Sequence, residues 1–315
     1  MTLDFSTGLE LELVLPEGMS RLALLDALAT RFGGTVRPLI FPSKVPVPVL
    51  PFQGGSAEEA AAATLALIED IARHHQAKVQ SVSPDFRFFY LAHRAGALIS
   101  SSGEQLLAVV HDNTLAGGER VAELVTKPLR RHELDWLEDL VGTIALIEGC
   151  TLPDTAALHV HVDGRPFLAT RPLAQLARIY RDFEGALRAL LRTPPALKRA
   201  AALPLPLVGA LIALAEGERP FAEAREVLRA HVLSRGFGLN LFNLIDPDPA
   251  KLTVELKLAA ATLDPRRVIA TRELFVHLSA RALDPPLEAC PRTDGAALLE
   301  WLDLPRAHRA ALLAG

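Results

Sequence analysis

Three short stretches place a polar side chain on every second residue, with leucine or valine between. They are Gly8–Leu13 (GLELEL), Leu158–Val162 (LHVHV) and Val254–Leu258 (VELKL). A two-residue period marks a strand, whose side chains at i and i+2 point to one face. Each stretch therefore aims two ionisable groups into one space: Glu10 with Glu12, His159 with His161, Glu255 with Lys257. Around them the pattern changes to helical spacing. Ser20 caps a helix that runs to Phe32 and stops at Gly33-Gly34. Residues 35–54 hold too many prolines for a central strand and read as a loop or edge segment. A long alanine-rich helix over 57–77 follows Ser56, and short strands are expected at Phe86–Leu91, Leu106–Val110, His111–Asn113 and Val121–Thr126. Helices are expected at 131–148, 171–192, about 203–216 and 220–233, and from Pro265 to about Ala282, with two short ones after Asp284. Strands interrupted by helical blocks, with no repeat, predict an α+β fold built on an antiparallel sheet with flanking helices.

Composition narrows this picture. In 315 residues, half apolar and only 5% aromatic, Ala and Leu dominate, which favours helices packed by small and γ-branched side chains. Mean hydropathy of +0.24 excludes a disordered chain. A formal charge of -4 supplies no basic field, so no nucleic-acid partner is expected. Cys150 and Cys290 lack metal spacing, and a reduced, cytoplasmic chain fits them. The sequence enters a strand at once, with no signal peptide expected. The uncharged run Ala200–Ala215 is shorter than the roughly 20 residues a span needs and carries Pro204 and Pro206, so a buried helix is expected and no membrane.

The chemistry lies on the strands. Glu10, Glu12, Glu123 and Glu255, brought to one sheet face, could not all stay ionised without cations between them. Hard divalent ions take oxygen ligands, and a neutral imidazole can join such a set. Against this stands the plain alternative that each strand has one solvated face. No glycine-rich phosphate loop of the dinucleotide or P-loop kind is present.

The order GLELEL, ELVTKPL, ALHVHVDG, RGFGLNLFNL and VELKLAAATLDP, over roughly residues 5–283, resembles the amidoligase family, whose relatives are glutamine synthetase and glutamate–cysteine ligase. The resemblance implies a glutamine-synthetase-like fold in one catalytic domain over 1–283, with a helical insertion at about 190–233 and a helical tail over 284–315. It implies ATP-dependent joining of a small-molecule or peptide carboxylate to an amine through an acyl phosphate, with ATP and Mg²⁺ or Mn²⁺ as cofactors. Glu10, Glu12, Glu123, His159 and Glu255 would match the metal ligands. His161, Lys127 and Asn240 would face nucleotide or phosphate, and Arg235 and Lys257 would serve the transferring phosphoryl group. From its own setting, Asp112, on the strand before Glu123, reads either as a substrate-binding residue or as a turn cap.

Three positions depart from the family pattern. Lys257 replaces arginine, which turns a bidentate clamp into a point charge. Ala157 stands for glycine, and Lys127 for proline or a small residue. Lys257, together with the Ala/Leu-rich helical insertion at 190–233, supports the alternative of a catalytically weakened relative that binds nucleotide or metal as a partner subunit. A cupin-type metal box is disfavoured because Asp163-Gly164-Arg165-Pro166 follows the two histidines where a glutamate is needed. Substrate identity and homo-oligomerisation stay open at this level.

Overall fold

The computed structural model describes residues 5–39, 95–111, 115, 120–197, 199–247, 251–284 and 293–314. The expected helix over 57–77, the expected strand at 86–91 and Asp112 lie outside the described residues. The chain divides into two compact units. One comprises Met1–Leu11, Pro128–Ala145 and Asp154–Gly315; the other comprises Glu12–Lys127 and Leu146–Pro153. Both are antiparallel sheets with helices, so the α+β expectation holds.

In the larger unit, strand β1 (Thr7–Val14, shared between the units beyond Leu11) pairs with β6 (Ala157–Asp163). Strand β6 pairs with β8 (Thr253–Ala260), and β8 with the two-residue β7 (Leu239–Asn240). Every pairing is antiparallel, with Glu10 opposite His159, His161 opposite Glu255, and Asn240 opposite Glu255. Alternation then sorts the side chains. Leu9, Leu11, Leu158, Val160, Val162, Val254, Leu256 and Leu258 are buried on one face. Glu10, His159, His161, Thr253, Glu255, Lys257 and Asn240 occupy the other.

Helix α6 (Pro265–Arg281) packs on β6 and is buried along most of its length. Asp264 caps it by accepting the Arg266 amide, and Pro265 fits the first turn, where an amide would have no partner. Helix α2 (Leu134–Ala145) lies against it. Helix α3 (Thr170–Leu190) turns Leu173, Leu176, Ala177, Tyr180, Phe183, Leu187 and Leu190 inward at helical spacing. Helices α4 (Leu205–Glu216) and α5 (Phe221–His231) continue from it. The C-terminal α7 (Gly295–Trp301) and α8 (Arg306–Leu313) are docked rather than loose. Buried Arg267 donates to the carbonyls of Ala311 at 2.9 Å and Leu190 at 2.5 Å, closing the C-terminal ends of α8 and α3.

In the smaller unit, β2 (Thr35–Leu39), β3 (Ala95–Ile99), β4 (Gln105–Val110) and β5 (Val121–Thr126) pair antiparallel in that order. Helix α1 (Arg21–Phe32) starts where Ser20 Oγ accepts the Ala23 amide at 3.1 Å and ends at Gly33, with φ of 74°. Leu22 and Leu25 of α1 occupy the space that a side chain at Gly96 would need, which sets the helix close on β3. The proline-rich stretch expected as loop or edge enters as the edge strand β2. His111, expected in a strand, lies beyond the end of β4. Strand β3 has no counterpart in the pattern-based reading. Its sequence, AGALI, is buried on both faces, so it shows no alternation to read.

Candidate active site

The polar face of the larger unit collects five ionisable side chains from three strands. Glu10 Oε2 lies 3.1 Å from His159 Nδ1, and Glu10 Oε1 lies 3.2 Å from His161 Nε2. Glu255 Oε1 stands 3.4 Å from His159 Nδ1, 3.5 Å from His161 Nε2 and 3.1 Å from Lys257 Nζ. Only 4% of Glu255 and 6% of Lys257 is exposed, while Glu10 and both histidines are half-buried. Antiparallel register makes this possible, because directly opposed and diagonal residues on one face come within reach of long side chains.

Burial opposes ionisation of Glu10, yet the imidazoles of His161 and His159 outweigh it and hold the carboxyl well below its usual range. Glu255 is lowered in the same way, against burial, by His161, His159 and Lys257. Burial alone would discharge His159, but the hydrogen bond to Glu10 and the charge of Glu255 raise it. His161 rises against burial through Glu10 and Glu255. The imidazolium and carboxylate forms of this cluster thus favour one another.

The donor set fits a divalent cation. One ligand atom each from Glu10, His161 and Glu255 lie within 4.8 Å of one another, compatible with a shared ion held by oxygen and nitrogen. His161 Nε2 is buried between two carboxylates, 3.2 Å from Glu10 Oε1 and 3.5 Å from Glu255 Oε1. A buried imidazole nitrogen set between two carboxylates is a donor arrangement that a divalent cation can share.

Neighbouring amides fix the carboxylate. Asn240 Nδ2 donates to Glu255 Oε2 at 2.6 Å, and Asn240 Oδ1 accepts the Phe242 amide at 3.0 Å. Asn240 was expected at phosphate or substrate. Both ends of its amide are taken and only 2% of it is exposed, so its contact in this structure is Glu255 itself. Gly238 precedes it where a side chain would press on the Tyr180 hydroxyl and Leu258, so the RGFGLN turn requires glycine there. Arg235 is exposed, with its guanidinium 5.3 Å over the Phe242 ring and Nη2 3.4 Å from Asn243 Oδ1.

The other expected residues fall in the smaller unit. Glu12 is buried on β1, Glu123 is half-buried on β5 opposite Val110, and the Lys127 ammonium lies 3.2 Å from both oxygens of Glu104. Lys127, expected at phosphate, therefore already faces a carboxylate. Two residues escaped the pattern-based reading: Thr253 and Asn243. Asn243 Nδ2 donates to Thr253 Oγ1 at 3.1 Å, and Thr253 Oγ1 is 3.2 Å from His161 Nδ1. Thr253 shares the two-residue period of Glu255 and Lys257, a signal that could have found it. Asn243 sits in a 3₁₀ turn, Phe242–Leu244, and has no such signal.

Residues 4–205, more than half of the chain, match the family described as "Putative amidoligase enzyme". The chain belongs to the amidoligase family. That makes it a relative of ligase-type enzymes. The match takes in Glu10, Glu12, Glu123, Lys127, His159 and His161, and it ends before Arg235, Asn240, Glu255 and Lys257. The contacts of those four with Glu10, His159 and His161, direct or through Glu255 and the Asn243–Thr253 pair, are findings of the structure rather than of the match. No curated protein matches the chain. Among the described residues, no helix is long and apolar enough to cross a membrane.

Proposed function

We propose that this amidoligase is an ATP-dependent carboxylate–amine ligase that works through an acyl phosphate. The observation that carries the reading is the convergence of Glu10, His161 and Glu255, with Lys257 alongside, in a family of ligase-type enzymes. A carboxylate is a poor electrophile. Its oxygen first attacks the γ-phosphorus of ATP, with ADP leaving; the amine nitrogen then forms the C–N bond, phosphate leaves and the amine loses a proton. Both partners of the first step are anions, so the site must offset clustered negative charge and hold the reacting oxygens in line.

Glu10, His161 and Glu255 would hold the Mg²⁺ or Mn²⁺, and His159, within 3.1 Å of Glu10 and 3.4 Å of Glu255, remains a candidate ligand. Such an ion, when bound, neutralises phosphate oxygens. Lys257 contributes a fixed positive charge beside Glu255, where charge develops on a transferring phosphoryl group. Asn240 keeps Glu255 oriented. Arg235, at the exposed margin, is placed to meet an anionic portion of nucleotide or substrate. Glu12 and Glu123 remain candidate ligands by family position, and Lys127 and Asp112 candidates for phosphate and substrate.

The test is ATP consumption by the full chain against a panel of carboxylates and amines. ADP release that needs both an acid and an amine supports ligation. A second reading, a partner subunit that binds nucleotide without turning it over, is favoured by Lys257 in place of the family's arginine. Tight Mg²⁺–nucleotide binding with no ADP release under any acid–amine pair would establish it instead.

A further inference from the structure

The uncharged run Ala200–Ala215, expected as a buried helix, is buried along one side only. Helix α4 packs on α3 and α5, and of its 12 residues Leu207, Val208 and Leu211 are buried. Leu205, Pro206, Gly209 and Ala213 are exposed, Leu205 to 60%. At 3.6 residues per turn, Leu205, Gly209, Ala213 and Glu216 lie on one stripe of the helix. The stripe is apolar from the first turn until Glu216 ends it. A Cβ at Gly209 would meet nothing within 4 Å, so the middle of this face is open.

The charges flanking the face are set against the helix itself. Lys198 and Arg199 lead into it and Glu216 and Glu218 close it, with no ionisable residue between Arg199 and Glu216. A helix favours anions at its N-terminal end and cations at its C-terminal end. Helix α4 has no acid in its first turn and no base in its last. Arg219, the next cation, is committed to Glu223, with Nε 2.9 Å and Nη2 2.7 Å from the carboxylate oxygens. Arg199, Glu216 and Glu218 form no ion pair among the described residues.

An antiparallel copy of the same helix resolves both mismatches. Its dipole opposes that of α4, its Glu216 and Glu218 come to the Arg199 end, and its Arg199 comes to the Glu216 end. Two-fold symmetry makes each contact twice, so one self-complementary face is enough. Gly209 and Ala213, near the middle, let two helix axes approach closely. A membrane surface would instead call for cations along the polar flank, whereas the two ends here have opposite sign. We propose that the exposed face of α4 is a two-fold interface with a second copy of this chain, the two helices running antiparallel.

Sedimentation velocity of the full chain over a concentration series tests this, with the unfolding midpoint of each variant as the check on folding. The wild type is expected to pass from monomer to dimer. Ala213→Glu, which puts a charge in the middle of the face, should abolish the dimer. Arg199→Glu should weaken it by about 10-fold or more, and so should Glu216→Arg joined with Glu218→Arg, because each brings like charges together twice. Mixed in equal amounts, these two variants should associate as the wild type does, since each supplies the sign the other lacks at both ends. A wild type that stays monomeric overturns the proposal, as does a dimer that survives Ala213→Glu. Charge reversals that leave the dimer unchanged, or a mixture that fails to recover it, overturn it too. A monomeric wild type that binds vesicles of phosphatidylcholine and phosphatidylserine, and loses that binding in Ala213→Glu, would make the face a membrane contact instead.

Discussion

The larger unit contains two buried ionic clusters, and they differ in what they leave unfinished. On α6, Arg272 is 1% exposed and Glu273 2%. The guanidinium donates through Nε to Thr7 Oγ1 at 2.8 Å and through Nη2 to the Phe5 carbonyl at 3.2 Å, and Nη1 pairs with Glu273. The guanidinium meets the carboxylate, with His277 Nε2 3.9 Å from the other Glu273 oxygen, and all three kinds of guanidinium nitrogen have acceptors. On the polar sheet face, two carboxylates face two imidazoles and a lysine, and His161 Nε2 lies between both carboxylates. The first cluster is closed and ties strand β1 to helix α6. In the second, the carboxylates are offset in part by imidazoles that can release their protons. Burial of charge therefore does not mark a site; a donor set whose imidazoles can exchange protons for a cation does.

The comparison can be broken first at its structural half. Arg272→Met would leave Glu273 buried with only the His277 ring, 3.9 Å away, and is expected to cost about 3–5 kcal/mol, read by urea unfolding. Divalent-cation binding by the fraction that remains folded should not change. If Arg272→Met were as stable as the wild type but lost cation binding, the roles of the two clusters would be reversed.

The functional half is tested by Glu255→Gln. Lys257 and both histidines lose a charged partner, so metal-free stability should fall, by about 1–3 kcal/mol and less than for Arg272→Met. The larger consequence is functional: ligation and Mn²⁺ binding should be lost. Mn²⁺ should raise the unfolding temperature of the wild type and not of this variant, because a ligand stabilises only the state that binds it. A variant still stabilised by Mn²⁺ as strongly as the wild type would remove Glu255 from the ligand set.

The smallest effect is on the pH dependence of the metal-free protein. His159 and His161 are raised when folded, so the stability they add is fully present below the ordinary imidazole value of about 6.5 and fades as pH rises through their folded values. Glu10 and Glu255 are lowered, so their contribution is present above the ordinary value of 4.5 and fades as pH falls through their folded values. Metal-free stability should peak between about 4.5 and 6.5 from this cluster. Cation affinity should instead climb with pH across the histidine titration, because protons and metal compete for the same ring. Glu255→Gln should flatten the stability peak. An unchanged profile in that variant would show that the histidines are raised by something else.

Much of this was legible because it is periodic. The face shared by His159 and His161, and that shared by Glu255 and Lys257, follow from the pleat alone, and Ser20, Gly33 and Pro265 announce the helix ends they make. What periodicity could not supply was register. Nothing in the sequence says that Glu10 stands opposite His159 or that Asn240 turns onto Glu255, since long-range pairings fix both. The phosphate role expected of Asn240 came from resemblance, whereas its buried amide binds protein at both ends. Strand β3 was silent for the opposite reason: a strand buried on both faces has no polar residue to mark its period. The contact between Thr253 and Asn243 joins a strand to a 3₁₀ turn and shows only in three dimensions.

The central claim is that the polar face of β1, β6 and β8 is a cation-dependent nucleotide site. Calorimetric titration of the full chain with a non-hydrolysable ATP analogue, once in Mg²⁺ and once in chelator, tests it most directly. Saturable binding in Mg²⁺ that disappears in chelator, and disappears in Glu255→Gln, is the result this account predicts. Equal binding with and without Mg²⁺, unaffected by Glu255→Gln, would contradict it and make the cluster a second structural ion network like that of Arg272.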